Sequence, residues 1–575
     1  MTRRASIGIG AAVRIGVSPR VSRRCSSNSR RDTSDPCDPL VFVARERREE
    51  VVPELLGGSH QPFLQTALPA LLLLRELLGS RTLSESRGRA SGKRRIGRGA
   101  GRSGFEPLRR SFQWTGLVLV GTIVSGCGPR APGEPTERPN FLVVSVDTLN
   151  HSALRTYSST AAELPTLDAF AAQSFRFEAA LSSASWTLPA HGSLLTGLYP
   201  DRHGATDHRV ALSDDAARLP QALRSVGYET VAFTGGGYMG ADYGHAQGFD
   251  RYNTFAMNGR LSELEVPRDG AWAVPGMHLF DRGIAYLRFR SPEDPPFFLF
   301  LHTYDVHDFY NVSPWAVTRS AAFEDLTGKE YLSCLQGRSR CPKEVFERLR
   351  QLYRAELEHL DGYFAALFEV LRETGAEENT VVVLLSDHGE GFDPEGPRLH
   401  HGGRLHADQL KIPLLFRMPG KRGRSIPNPV SIVDVAPTLA DLAGASPLAA
   451  VDGQSLAPLL GLGGRWKDRP LLAMEHYFSW PEGRRTRSTN VRPKPLASVV
   501  VRDDLWYIEG PEGEQLYQMT KDPGQANNIV TEAPVETLAA LRRILRDRSR
   551  DRTESRRVAS DADVQKQLRA LGYLE

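Results

Sequence analysis

The sequence predicts an α/β fold, with a doubly wound, mainly parallel β-sheet followed by a smaller C-terminal α+β subdomain. Two observations support this prediction. Short apolar runs rich in β-branched residues alternate with segments of helical periodicity, which is typical of parallel strands buried on both faces. Beyond about residue 465 this alternation gives way to short, closely spaced strands and one amphipathic helix.

Five runs that lack charged residues are predicted to be buried strands, in chain order FLVVSV (141–146), TVAFT (230–234), FFLFLH (297–302), TVVVLLS (380–386) and PLLF (413–416). Helices are expected between them. The clearest covers 345–371, where apolar residues from Val345 to Leu371 recur at helical spacing. In the C-terminal part, LASVVVRDDLWYIEG predicts short strands and VETLAALRRILRDR predicts the amphipathic helix.

The composition is that of an ordinary globular protein. Its 575 residues are 40% hydrophobic and 24% charged, values that exclude collagen-like, coiled-coil and disordered chains. Because one hydrophobic core does not usually organise so long a chain, we expect a large domain at 140–465 and a subdomain at 466–575. The net charge of +4 is too small for a nucleic-acid footprint along the whole chain, so no nucleic acid partner is expected.

The charge is unevenly distributed along the chain. Residues 1–110 contain 22 Lys and Arg against 10 Asp and Glu, a net of +12, so residues 111–575 carry a net of −8. Residues 1–107 form a basic, low-complexity leader that we expect to be disordered or to precede the true start of the protein.

The segment 108–127 has the layout of a signal peptide, although it lies far along the chain. Arg109 and Arg110 precede an apolar run at 117–124, and the run ends in small residues and Cys127. The ending VSGC resembles a bacterial lipobox, which implies export and a lipid anchor on Cys127 at the periplasmic side of a membrane or the cell surface. Residues 128–139 are then a Pro-rich tether. The alternative is a basic, disordered extension ahead of a buried apolar segment.

The cysteines agree with export. Apart from Cys127 and two cysteines in the leader, the chain contains only Cys334 and Cys341, with six residues between them in a polar segment. In an oxidising compartment they are expected to form a disulfide, and a free pair is the alternative.

Polar residues that suit metal binding follow three of the predicted strands. Open α/β sheets bind ligands at the carboxyl ends of their strands. The residues there are Asp147, Thr148, Asp305, His307, Asp387 and His388, and His401 lies in the loop before PLLF. Carboxylates and imidazoles together favour a divalent cation, although a single Asp after a strand is more often a helix cap. Thr187 stands just before a predicted helix, as a nucleophile or as a helix N-cap.

The ordered set of segments from residue 140 to the end resembles the sulfatase family of the alkaline phosphatase superfamily. The segments that carry this resemblance include VVSVDTLN, TLPAHGSLLTG, GLYPDRHGA, LLSDHGEGF and HHGGRLHADQLKIPLLF. The resemblance implies one divalent metal, Ca²⁺ by family with Mg²⁺, Mn²⁺ or Zn²⁺ also open.

It also assigns roles to individual residues. Asp147, Asp387 and His388 are implied metal ligands, with Thr148 and Asp305 as weaker candidates, and Thr187 stands where the family has its nucleophile. His307 and His401 match positions that hold the ester group or protonate the leaving oxygen. His191 occupies the place of the signature Arg and is expected to take up charge on the ester oxygens.

Thr187 departs from the family pattern. Typical sulfatases convert a Cys or Ser here into formylglycine, but a threonine carries a methyl group and cannot form that aldehyde. Its alkoxide can attack directly, so we expect a metal-dependent hydrolase of small-molecule or glycan sulfate or phosphate esters. The alternative is a catalytically retired relative that binds an anionic glycan or a lipid head group.

Overall fold

The computed structural model describes residues 138–255, 279–307, 309, 341–392, 401–476, 495, 497–548 and 556–557. All of them belong to the compact unit Arg98–Glu575. The predictions for the leader, the signal segment, Cys127 and most of the tether fall outside the described residues. Within the described part of the chain, no helix is both long enough and apolar enough to cross a lipid bilayer.

The strands, numbered in chain order, are β1 Asn140–Val146, β2 Phe175–Phe177, β3 Ala180–Leu181, β4 Val210–Ala211, β5 Glu229–Gly235, β6 Arg251–Phe255, β7 Phe297–Thr303, β8 Thr380–Leu385, β9 Lys411–Ile412, β10 Leu414–Arg417, β11 Ser425–Ile426, β12 Val430–Ser431, β13 Leu471–Glu475, β14 Ala497–Arg502, β15 Leu505–Gly510, β16 Gly513–Gln518 and β17 Arg556–Arg557. The α-helices are α1 Pro165–Gln173, α2 Thr187–Thr196, α3 Pro200–His203, α4 Leu219–Ser225, α5 Leu279–Arg288, α6 Lys343–Glu373, α7 Ala407–Leu410, α8 Val435–Leu442 and α9 Val535–Arg548.

Eight strands form the central sheet, in the order β11-β2-β10-β8-β1-β7-β5-β6. The pairs from β8 to β6 are parallel, as the apolar runs predict. β10 differs from the other predicted strands because it runs antiparallel to both β8 and β2. The sheet is therefore mixed but mostly parallel, which confirms the predicted fold class.

Two hydrophobic cores cover the two faces of this sheet. Along β1, Phe141 and Val143 belong to one core, whereas Leu142 and Val144 belong to the other. This alternation follows from the two-residue period of a strand, so a continuously apolar strand supplies both faces. The first core includes buried residues of α2 and α8, and the second includes the buried face of α6.

The C-terminal part contains an antiparallel sheet in the order β13-β14-β15-β16. The predicted segments fall on β14, β15 and α9, and the helix has the bounds of VETLAALRRILRDR. Arg548 at the end of α9 reaches back to the large domain, where it donates hydrogen bonds to Asp201 and Asp452. The C-terminal helix is thus ion-paired to the domain that precedes it.

Candidate active site

Three neighbouring strands bring the predicted site residues to one edge of the sheet. β1 lies between β7 and β8, all three run parallel, and their carboxyl ends therefore coincide. Asp147 follows β1, His302 lies near the end of β7, and Asp387 and His388 follow β8. These four side chains are completely buried.

Asp147, Asp387 and His388 form the group whose ligand atoms converge. One atom of each lies within 4.8 Å of the others. His388 Nε2 is 3.3 Å from Asp387 Oδ2 and 3.7 Å from Asp147 Oδ1, and none of these three atoms has a hydrogen-bond partner. Buried polar atoms without partners are costly, so three of them aimed at one point fit a cation.

The remaining polar atoms of the group hold it in this arrangement. Asp387 Oδ1 accepts hydrogen bonds from the backbone N–H groups of Thr148 (3.2 Å) and His388 (2.8 Å). His388 Nδ1 donates to the carbonyl of Gly389 at 3.1 Å, which leaves the lone pair of Nε2 available as a ligand. Burial and the neighbouring Asp147 raise the pKa of Asp387. The donor set of two carboxylates and one imidazole suits a divalent cation.

The two weaker metal candidates have other partners. The Thr148 hydroxyl donates to the Asp147 carbonyl at 2.7 Å, and its backbone φ of 56° is unusual for a β-branched residue. That conformation directs its N–H to Asp387. Asp305 accepts a hydrogen bond from the Thr303 hydroxyl. Neither residue belongs to the converging group, so their metal ligation stays a prediction.

Thr187 is the first residue of α2, a helix in which every residue is buried. Its hydroxyl donates to Asp147 Oδ2 at 3.1 Å. The two oxygens of Asp147 are thereby divided, since Oδ2 receives the hydroxyl and Oδ1 belongs to the converging group. Thr187 does not serve as the N-cap, a position held by Trp186.

His191 lies against the backbone of Thr187. Its Nδ1 donates to the Thr187 carbonyl at 3.0 Å and lies 3.4 Å from Asp387 Oδ2, while its Nε2 accepts from the Ser145 hydroxyl at 3.0 Å. Burial lowers the pKa of His191 to about 4, so the ring is neutral at pH 7. Because both ring nitrogens are engaged, the geometry favours a positioning role over the contact with ester oxygens that the sequence predicts.

Sequence reasoning missed His302. Its Nε2 donates to Asp147 Oδ2 at 3.2 Å, so this oxygen receives two hydrogen bonds, one from His302 and one from Thr187. His302 is paired with Ser145 of β1 in the strand register. It ends the otherwise apolar run FFLFLH, and this polar residue at the end of a predicted buried strand was the signal available in the sequence.

His307 and His401 lie together at the same edge. Their ring centroids are 4.7 Å apart, and the centroid of His401 is 4.9 Å from that of His388. His401 Nδ1 is 2.9 Å from Glu390 Oε2, a buried carboxyl that the sequence analysis did not single out. Burial raises the pKa of Glu390 to about 8. The predicted pair therefore contacts the converging group of Asp147, Asp387 and His388 through His388.

A third missed residue, Glu475, holds the segment that leads into Thr187. It ends β13 and is completely buried. Its carboxylate accepts hydrogen bonds from the Ser185 hydroxyl (2.7 Å) and from Trp186 Nε1 (3.0 Å). The C-terminal sheet thus fixes the position of the predicted nucleophile.

Cys341 is disulfide-bonded. Cys334 lies outside the described residues, and its pairing with Cys341 stays a prediction.

Two family models match the chain. The sulfatase model covers residues 139–445, and the model described as N-sulphoglucosamine sulphohydrolase, C-terminal, covers residues 401–551.

Named relatives are similar over most of their length. The chain is 24% identical to a Delta 4,5-hexuronate-2-O-sulfatase of Bacteroides thetaiotaomicron, over 78% of this chain and 96% of the relative. It is 25% identical to a choline-sulfatase of Rhizobium meliloti, over 71% of this chain and 86% of the relative.

Solved structures share the fold. A phosphonate monoester hydrolase of Agrobacterium radiobacter superposes with a TM-score of 0.58 at 20% identity, covering 72% of this chain and 96% of that one. A 2-O GAG sulfatase superposes with a TM-score of 0.55 at 19% identity, covering 74% and 96%.

Proposed function

Because this chain belongs to the sulfatase family, we propose that it is a metal-dependent hydrolase of sulfate or phosphate esters with the Thr187 hydroxyl as nucleophile. One observation carries the proposal. The Thr187 hydroxyl is bonded to one oxygen of Asp147, and the other oxygen of the same carboxylate belongs to the group of unpartnered ligand atoms. Nucleophile and metal ligands are therefore joined through a single buried side chain.

Asp147 Oδ1, Asp387 Oδ2 and His388 Nε2 would hold the metal. When bound, a divalent cation supplies positive charge that favours the alkoxide of Thr187 and stabilises charge on the ester oxygens. The oxygen-rich donor set supports Ca²⁺, Mg²⁺ or Mn²⁺, and the imidazole also admits Zn²⁺.

In the first step, Thr187 Oγ1 attacks the sulfur or phosphorus of the ester, and the bond to the alcohol oxygen breaks. The hydroxyl proton moves to Asp147 Oδ2, the atom that accepts its hydrogen bond. The departing alkoxide takes a proton from His401, whose other ring nitrogen faces Glu390. The products of this step are the free alcohol and a sulfo- or phospho-threonine.

In the second step, water attacks the same sulfur or phosphorus. His401, now neutral, accepts a proton from the water, and the bond to Thr187 Oγ1 breaks. Oγ1 recovers its proton from Asp147 Oδ2, and inorganic sulfate or phosphate leaves. His302 and His191 keep Asp147 and Thr187 in place through both steps.

The relatives favour sulfate esters as substrates. One similar chain is named for a sulfated hexuronate and another for choline sulfate, so the proposed substrates are sulfated glycans or small alcohols. Phosphate esters remain candidates because a threonine cannot release its product through an aldehyde, whereas metal-assisted attack of water at phosphorus would release phosphate from a phospho-threonine.

We also propose that the protein works outside the cytoplasm, anchored to a membrane through lipidated Cys127. The disulfide at Cys341 supports an oxidising compartment. Labelling with a radioactive fatty acid tests the anchor, and Cys127→Ser should abolish the label.

Replacing Thr187 by Ala tests the nucleophile. We expect turnover of aryl sulfate and aryl phosphate esters to fall on the order of 10³-fold or more, because no other hydroxyl donates to the side-chain carboxylate of Asp147 among the described residues. Thr187→Ser keeps the hydroxyl and should retain turnover, which separates loss of chemistry from loss of fold. Undiminished turnover in Thr187→Ala would refute the assignment.

A further inference from the structure

A basic pocket lies beside the active site. It has a volume of about 450 Å³ and is lined by the loop after β1, the first half of α6, the residues flanking α7 and the loop 523–525. Its charged lining comprises four cations, Arg350, Arg354, Arg404 and Lys411, and one acid, Asp408. The lining therefore carries a clear excess of positive charge.

The cations of α6 are poorly compensated. Arg350 and Arg354 are one turn apart on the same helix face, an arrangement that disfavours a helix when both side chains carry like charge. Arg350 contacts Glu347 only at 3.5 Å. Arg354 makes no hydrogen bond or ion pair with any described residue.

Lys411 is a further poorly compensated cation of the pocket lining. It is half-buried in β9, and its ammonium group has no hydrogen-bond or ion-pair partner among the residues that the structure describes. Burial lowers the pKa of Lys411, and Asp504 opposes this effect only through space. A partly buried ammonium without a direct partner is unfavourable unless a bound group of opposite charge compensates it.

The pocket shares a wall with the active site. Asn150 lines the pocket, and its Nδ2 donates to the carbonyls of Glu390 (2.7 Å) and Asp408 (3.2 Å). The side chain of Glu390 in turn faces His401. A molecule in the pocket is therefore separated by Asn150 from Glu390, the residue whose carboxyl faces the proposed acid His401.

We propose that this pocket binds an anionic group, a sulfate, phosphate or carboxylate, separate from the group that reacts at Thr187. Its volume exceeds that of a single ion and lies within the range of pockets that hold small organic ligands. The anion is either a second charged group of the substrate or a free inorganic anion. The first of these sources rests on the proposed function.

Binding of inorganic sulfate to the full chain, measured by calorimetry at low ionic strength, tests the site. The background variant is Asp387→Asn, which disables the metal group and so removes its own affinity for sulfate. We expect saturable binding there, weakened about tenfold or more when Lys411→Gln and Arg354→Gln are added. Arg372→Gln removes the same charge from the exposed end of α6 and should change nothing. Equal affinity with and without the pocket substitutions overturns the proposal, provided that circular dichroism shows all variants folded.

A second arm identifies the source. The ratio of kcat/KM for a disulfated over a monosulfated sugar should fall about tenfold in Lys411→Gln with Arg354→Gln if the pocket holds a second group of the substrate. An unchanged ratio combined with weaker sulfate binding assigns the pocket to a free anion and still supports the site. If the protein turns over no ester at all, the calorimetric arm remains decisive, so failure of the proposed function and failure of the pocket are distinguishable.

Discussion

At the scale of single residues, the two carboxylate oxygens of Asp147 have different partners. Oδ2 receives hydrogen bonds from Thr187 and His302, and Oδ1 faces Asp387 and His388. A shorter side chain, or one with a single acceptor, could not do both. Thr187 and His302, which donate to Asp147, are buried as completely as Asp147 itself.

Removing one carboxylate should abolish metal binding. In Asp387→Asn we expect affinity for Mn²⁺, followed by electron paramagnetic resonance, to fall at least about a hundredfold, because an amide cannot replace the charge of a direct ligand. Asp441→Asn, which changes an exposed carboxylate on α8, serves as the matched control. The affinity of the wild type should also weaken as pH is lowered, since the raised pKa of Asp387 favours its protonated form. Equal Mn²⁺ affinity in wild type and Asp387→Asn would contradict the site.

His203 should make the fold sensitive to acid. Its Nε2 donates to the Pro189 carbonyl at 3.0 Å and its Nδ1 accepts from Ala205 N–H at 3.2 Å, so a buried neutral ring is satisfied on both sides. Burial lowers the pKa of His203 to about 3, below its unfolded value of 6.5. The unfolded chain therefore binds more protons, and the stability that this residue contributes is complete above pH 6.5 and lost as pH falls toward 3.

Urea unfolding at pH 7.5 and pH 5 measures this effect. We expect His203→Gln to lose less free energy of unfolding between the two pH values than the wild type does, by about 1.4 kcal/mol for each pKa unit spanned. A wild-type slope in His203→Gln would show that the ring titrates normally.

At the scale of elements, α2 is packed too tightly to accept an ordinary helix residue at its centre. A Cβ added to Gly192 would lie 2.7 Å from His203 Cε1 and 2.8 Å from Leu212 Cδ2. In α6, by contrast, a Cβ on Gly362 would meet nothing within 4 Å. The close approach of His203 and Leu212 therefore requires a glycine at position 192, whereas no packing contact requires one at position 362.

Alanine at these two positions should have opposite effects. Gly192→Ala is expected to lower the free energy of unfolding by about 1–3 kcal/mol through overpacking. Gly362→Ala should raise it by about 0.5–1 kcal/mol because alanine restricts the unfolded chain and favours the helix. Chemical denaturation of both variants checks this, and a stabilised Gly192→Ala would mean that α2 has room to shift.

The elements also differ in whether the sequence alone predicts them. Continuous apolar strands and long helical periodicity predict β1, β5, β7, β8 and α6 because burial alone determines those patterns. Asp147, Asp387 and His388 were accessible for the same reason, as each directly follows a buried strand. The direction of β10 could not be predicted, since a four-residue strand has no pattern that distinguishes parallel from antiparallel pairing. Glu475 was also missed, because its partners lie 290 and 289 residues away along the chain.

At the scale of the whole molecule, Arg548 connects the last helix to the large domain. Its guanidinium donates two hydrogen bonds to Asp201 (3.1 and 3.0 Å) and two to Asp452 (2.6 and 2.7 Å). All three side chains are largely shielded from solvent. Bidentate pairs of this kind fix orientation as well as contact.

Breaking this junction should destabilise the whole fold. Arg548→Gln leaves Asp201 and Asp452 without their shared cation, and we expect a loss of about 3–5 kcal/mol in the free energy of unfolding. Arg372→Gln breaks an exposed pair with Glu369 and should cost less than about 1 kcal/mol. Urea midpoints compare the two, and similar small losses would show that Arg202, which also contacts Asp452 within the large domain, compensates that carboxylate without Arg548.

The contact of Glu475 with Ser185 and Trp186 has a consequence for biosynthesis. A ribosome makes the chain from its N-terminus, so the segment that leads into Thr187 exists long before the carboxylate that holds it. Until β13 emerges, a nascent chain has α2 and β1 but lacks the carboxylate that holds the segment before Thr187. We therefore expect fragments that end before residue 475 to be inert, and esterase activity to begin only as synthesis nears completion.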